Sequence, residues 1–246
     1  MKISLLYTSI VLIFLAVSCK DQTNESNGDD DNNVEAIKLE EGEYNDNNQK
    51  HGLWITRYQN GQLKDSAVYT NGELDGLFAS YSEDGKPLSR GNYISGTPSG
   101  QWLYWNDAGN LIEQSNWVDG KPDGESKTYY DNGNLQTVVS WKDGKMEGTW
   151  YYYNETGYLE EATDYADGYK MGKAIQYYAD GKIRTQTTFD MELINGLYEE
   201  FHPNGMLAGQ VTYEENKMQG DYIKFDTLGN IITIEHYVDG IMELEN

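Results

Sequence analysis

The sequence predicts an all-β protein, an elongated array of antiparallel β-hairpins made of eight 24-residue units. Three observations predict it. Glycine opens every unit, at Gly52, Gly76, Gly100, Gly124, Gly148, Gly172, Gly196 and Gly220, and a second glycine follows nine residues later each time, from Gly61 to Gly229. The eighteenth position of each unit is always aromatic: Tyr69, Tyr93, Trp117, Trp141, Tyr165, Phe189, Tyr213 and Tyr237. No stretch shows the three-to-four-residue apolar spacing of an amphipathic helix, whereas aromatic and β-branched residues fall in short runs between glycines. Self-similarity at a fixed period of this size is the mark of a repeat architecture.

Taken from the front, residues 1–18 carry Lys2 and then a mainly apolar run from Ile3 to Val17, the pattern of a secretory signal and too short for a membrane span. Leu15-Ala16-Val17-Ser18-Cys19 resembles a bacterial lipoprotein box, which makes Cys19, the only cysteine, the expected lipidation site. Residues 19–40 are rich in Asp, Asn, Glu and Ser and lack aromatics, so they read as a disordered acidic tether. Residues 41–51, with Tyr44, read as a partial capping unit, and 52–246 as the eight repeats.

Within a unit, pairs such as Asn60-Gly61 and Asn132-Gly133 mark one turn, and Asn71-Gly72, Asp119-Gly120, Asp143-Gly144 and Asp167-Gly168 mark another. Both suit residues held at positive φ. The sixth position is aromatic in seven units and the twelfth is Leu or Ile in seven, Arg57 and Pro87 being the exceptions. A three-residue first turn ending in a left-handed glycine makes positions six and twelve cross-strand neighbours. On that register positions six, twelve and eighteen are expected on one face as the core, represented by Tyr93, Trp117, Trp141, Tyr165 and Phe189. The third-position aromatics Trp54, Trp102, Trp150, Tyr198 and Tyr222 are expected on the other face as a candidate partner surface. Glu192 and Asn216 replace the glycine of the second turn, so altered turns are expected there.

The frame running through Trp141, Gly144, Gly148, Trp150, Tyr153, Gly157 and Leu159 resembles the MORN-repeat variant, a group that includes bacterial YwqK-type antitoxins. The resemblance covers Gly52 to the C-terminus. It implies hairpin arrays that associate with proteins or membranes, and it brings no catalytic residue.

The formal net charge is −23, from 41 acidic and 18 basic residues, which disfavours nucleic acid and anionic lipid as partners of the repeats. His51, His202 and His236 are isolated, and the chain has no P-loop, HExxH or CxxC pattern. Acidic turns such as Asp131-Asn132-Gly133 lack the full calcium-loop spacing and read as turn chemistry. The expectation is therefore a non-enzymatic envelope lipoprotein, at the outer membrane or cell surface, with no cofactor and no metal. It is anchored through lipid on Cys19 and binds a protein through its repeat face. The alternatives are an antitoxin-like protein that binds a toxin and, third, a glycan-binding or glycan-processing protein using rows of Tyr and Trp.

Overall fold

A computed structural model describes residues 37–243. The expected signal segment, Cys19 and the tether up to residue 36 lie outside the described residues. The described chain forms one antiparallel sheet of 21 strands paired in sequence order; three outgoing strands are broken in two (Lys121–Pro122 and Gly124–Tyr129, Lys145–Met146 and Gly148–Tyr153, Leu193–Ile194 and Gly196–Phe201), both pieces pairing with the return strand before them. β1 (Glu40–Tyr44) pairs with β2 (Lys50–Arg57), and β2 pairs with β3 (Leu63–Thr70). Every later unit repeats the β2–β3 hairpin, with an outgoing strand near positions one to six and a return strand near twelve to nineteen.

The first turn is built as the Asx-Gly dipeptides require. Tyr58 N–H donates to Gln62 O at 2.8 Å, Gly61 N–H donates to Tyr58 O at 2.9 Å, and Gly61 sits at φ +83°. This is a three-residue loop whose last residue is left-handed, and Arg57 pairs with Leu63 as positions six and twelve should. Turns of adjacent units are tied together. The seventh-position hydroxyls of Tyr58, Tyr130 and Tyr178 donate to the sixth-position carbonyls of Tyr81, Tyr153 and Phe201 at 2.8, 2.7 and 2.6 Å. His202 fills the same place, its Nε2 standing 2.9 Å from Phe225 O.

The second turn holds two successive residues at positive φ in every unit. Asp143 and Gly144 lie at +52° and +83°, and Met191 and Glu192 at +47° and +69°. Its second N–H reaches back to the preceding unit: Gly168 N–H donates to Met146 O at 2.9 Å, and Glu192 N–H to Lys170 O at 3.1 Å. The expectation of altered turns at Glu192 and Asn216 is thus corrected. The two side chains stabilise the turn in place of glycine's freedom. Glu192 Oε1 accepts Lys170 N–H at 2.6 Å and Asn216 Oδ1 accepts Ile194 N–H at 2.7 Å, each closing a ring with the residue whose carbonyl takes its own N–H.

Register corrects the expected assignment of faces. Gly52 pairs with Tyr69, Trp54 with Ala67 and Thr56 with Asp65, so positions one, three, five, fourteen, sixteen and eighteen share a face. The pairing then slips by one residue, because Lys64 at position thirteen is bulged, and the six–twelve pair points to the opposite face. The third and eighteenth positions therefore meet instead of separating. Ring centroids are 6.4 Å apart for Trp54 and Tyr69, 5.7 Å for Phe78 and Tyr93, and 6.0 Å for Tyr198 and Tyr213.

The centre of this face is the sixteenth position, where Ala67, Ser115, Val139, Thr163 and Val211 are all buried. Small residues there receive the third-position ring of the following unit. Gly42 and Gly91 are the extreme cases: a Cβ on them would lie 2.3 and 2.1 Å from ring atoms of Trp54 and Trp102. Those are the two deepest tryptophans, 4% and 3% exposed. Trp150 is only half-buried.

Two predictions follow from this packing. Gly91→Ala should lower stability by about 1–3 kcal/mol through overpacking, and Gly91→Ala combined with Trp102→Phe should recover part of the loss in chemical denaturation. Met191→Asn should raise the thermal midpoint, since Asn tolerates the left-handed region, while Met191→Val should lower it.

Candidate interaction face

The face that carries the aromatic core also carries a polar row formed by positions five and fourteen. Cross-strand pairs in it are satisfied by hydroxyls: Thr56 Oγ1 donates to Asp65 Oδ2 at 2.8 Å, and Ser80–Ser89 and Thr128–Thr137 bond at 2.7 Å. Position fourteen alternates over the first six units, with Asp65, Glu113 and Glu161 in the first, third and fifth and Ser89, Thr137 and Thr185 in the second, fourth and sixth. The third position alternates in step: Trp54, Trp102 and Trp150 against Phe78, Ser126 and Ala174. A 48-residue period is thus laid over the 24-residue one.

In the third and fifth units the alternation produces the same assembly twice. Tyr104 stacks on Trp102 with centroids 5.9 Å apart and planes 22° apart, and Tyr152 stacks on Trp150 at 5.8 Å and 14°. Glu113 is the cross-strand partner of Tyr104, and Glu161 is that of Tyr152. Tyr104, Tyr152 and both glutamates are half-buried. Burial is the main cause that raises the Glu113 carboxyl above its usual range, with a hydrogen bond from Ser115 acting against it. Burial likewise raises the Tyr104 phenol, with the charge of Glu113 adding to the effect. Among the described residues no Lys or Arg lies within ion-pair distance of Asp65, Glu113, Glu161 or Glu200.

Both ends of the array treat the same features differently. Lys50 Nζ lies 4.1 Å above the Trp54 ring and pairs with Glu40. Lys224 Nζ lies 4.7 Å above the Tyr222 ring and 2.8 Å from Glu235 Oε1. Each ammonium sits between a carboxylate and an aromatic face, an arrangement in which both contacts favour the cation.

Of the residues expected to form a partner surface, Trp54 and Trp102 are corrected to core, because the glycine beneath each ring and the rings around it enclose them. Trp150, Tyr198 and Tyr222 are half-buried on the same face. Of the expected core residues Tyr93 and Tyr165 are buried, and Trp117, Trp141 and Phe189 are half-buried. Tyr104, Glu113, Tyr152 and Glu161 were not singled out by the single-unit period; the two-unit period is the signal that finds them.

Elsewhere the surface offers two shallow depressions of about 470 and 420 Å³ along the first-turn row, which share Tyr129, Asp131 and Asn132. Asp131 and Glu155 there are exposed turn residues. Among the described residues no group of three or more His, Cys, Asp or Glu is placed to hold a metal ion. Trp102 Nε1, Ser126 Oγ and Thr187 Oγ1 are buried without a hydrogen-bond partner, all on the aromatic face.

The fold and this face define an all-β repeat protein with one continuous sheet. Segments 50–71, 74–95, 122–143, 172–191 and 194–215 match the family model described as MORN repeat variant. Such repeats are commonly protein- or membrane-interaction elements and typically non-catalytic. The two longest stretches passed over inside the matched span, 96–121 and 144–171, hold the two Trp–Tyr–Glu assemblies. Among solved structures, a chain of the Photorhabdus luminescens Tc holotoxin pore matches at 12% identity and a TM-score of 0.20, covering 76% of this chain. This chain spans only 13% of that one, and the overlap is too loose to bear on its role. No curated protein matches the chain.

The raised Glu113 carboxyl yields a prediction with a defined sign. A native carboxyl raised above 4.5 opposes folding above its raised value, and the penalty disappears as pH falls through that value toward 4.5. Glu113→Gln should therefore melt at a higher temperature than the wild type near pH 7, and the gap should close toward pH 4 in paired thermal scans.

Proposed function

We propose that the chain is a non-enzymatic interaction scaffold of the bacterial cell envelope, lipidated on Cys19 and binding a protein through the aromatic and acidic face of its sheet. The observation that carries this reading is the doubled Trp–Tyr–Glu assembly. Half-buried Tyr104 and Tyr152, each beside a carboxylate with no counter-ion among the described residues, recur at a fixed spacing on a sheet braced at both turn rows. A catalytic reading needs carboxylates converging on one cleft. Here Glu113 and Glu161 stand two units apart on one sheet, and Asp131 and Glu155 lie on exposed turns. Family resemblance favours interaction over chemistry, and the signal-like residues 1–18 favour export. An antitoxin-like role is the same scaffold with a toxin as its partner.

The test is fractionation and protease shaving of intact host cells, with a photo-crosslinking residue at Tyr152 or, as a control, at the exposed turn residue Asp180. Export and lipidation predict membrane-bound wild type and a Cys19→Ala variant that loses membrane association. The scaffold reading predicts a discrete protein adduct from position 152 and none from 180. Uncleaved chain in the cytosol would overturn the envelope assignment.

A further inference from the structure

The chain's own lysines show what the aromatic and acidic face takes. At the two ends of the array an ammonium is seated between a ring and a carboxylate: Lys50 with Trp54 and Glu40, and Lys224 with Tyr222 and Glu235. In the third and fifth units the ring and the carboxylate are present, as Tyr104 with Glu113 and Tyr152 with Glu161, and among the described residues no lysine or arginine lies within ion-pair distance of either glutamate. Lys224 occupies position five, the place that Tyr104 and Tyr152 hold in their own units. The middle units thus replace the internal cation with a second ring stacked on the first.

We propose that Tyr104–Glu113 and Tyr152–Glu161 are paired seats for two basic side chains, arginine above all, of one extended polypeptide that lies across the sheet. This deepens the scaffold reading and rests on it. A guanidinium suits each seat because it stacks on a ring and donates two hydrogen bonds to a carboxylate at once. The distance between the seats selects the ligand's shape. They are two units apart, which is four strand spacings, or roughly 19 Å at 4.7–4.9 Å each. An extended chain advances about 3.3 Å per residue, so basic residues about six apart span that distance. Six is an even number, so both side chains leave the peptide on the same side.

Between the seats the fourth unit presents Thr128 and Thr137, small polar residues that leave a crossing backbone room. The charge of −23 draws a basic chain toward the molecule, but attraction of that kind has no spacing preference. Spacing is therefore what separates a built site from a merely acidic surface.

The experiment uses nine-residue Ser/Thr peptides with arginine at the second and eighth places, or at the second and fifth, so that net charge is equal. Binding to the full chain is followed by calorimetry at 150 mM salt. The six-apart peptide should bind at least tenfold tighter than the three-apart peptide, and Glu113→Gln with Glu161→Gln should abolish the difference. Because Glu113→Gln is expected to stabilise the fold, loss of binding in that variant does not report unfolding, and a thermal scan of the same sample checks this. Equal affinity for the two peptides, or an unchanged preference in the double variant, overturns the proposal. If the adduct at position 152 forms equally well in the double variant, the scaffold reading stands and the paired seats fall.

Discussion

Everything in this molecule depends on one constraint: a hairpin of this array cannot complete its own hydrogen bonding or bury its own rings, so each unit is finished by its neighbour. The backbone meets the constraint at the second turn, where an N–H of each unit is accepted by a carbonyl of the unit before it. Side chains meet it at the first turn, through Tyr58, Tyr130, Tyr178 and His202. Between these two braced rows the strands have little freedom to slip. That matters because a slip of one residue would move every ring to the other face. The positive-φ turn residues fix the spacing of the bracing, which explains why glycine or its substitutes recur without a gap.

Much of this was legible in the sequence. Fixed glycine spacing announced the units, Asx-Gly pairs announced both turns, and the pairing of positions six and twelve followed from the turn geometry. The side on which the third position falls did not follow. It is decided by a bulge at position thirteen, where Lys64, Leu88, Ile112 and Gln136 share no chemical signature. Position sixteen was equally silent, because a small residue carries no hydrophobic signal even when it is the most buried point of the sheet. Gly42 and Gly91 show why: their importance lies in the ring of another unit, and only contact across the sheet reveals it. At Glu192 and Asn216 the sequence suggested a broken turn, and a side-chain hydrogen bond replaced what glycine would have supplied.

The candidate face was legible in part. Its aromatic rows were visible, but their depth was not, since burial of Trp54 and Trp102 reflects the residue beneath each ring. Its carboxylates were visible only as part of an overall acidity. What gives them meaning is their relation to cations: paired with lysine at the ends of the sheet, hydrogen-bonded to neutral groups in its middle. An acidic composition that serves solubility alone has no reason to seat a lysine between a ring and a carboxylate at each end and to put a second stacked ring beside Glu113 and Glu161.

Superposing a two-unit alternation on a one-unit repeat has a consequence for how such a chain changes over generations. Gain or loss of a whole 24-residue unit leaves every turn and every strand contact intact, so the fold places little selection against it. Between Tyr104 and Tyr152, however, one added unit would widen the separation of the two assemblies by half and reverse the order of large and small residues beyond it. The array then behaves as a graduated rule whose marks can be moved without remaking the rule, and homologous chains of different length would be expected to measure different partners.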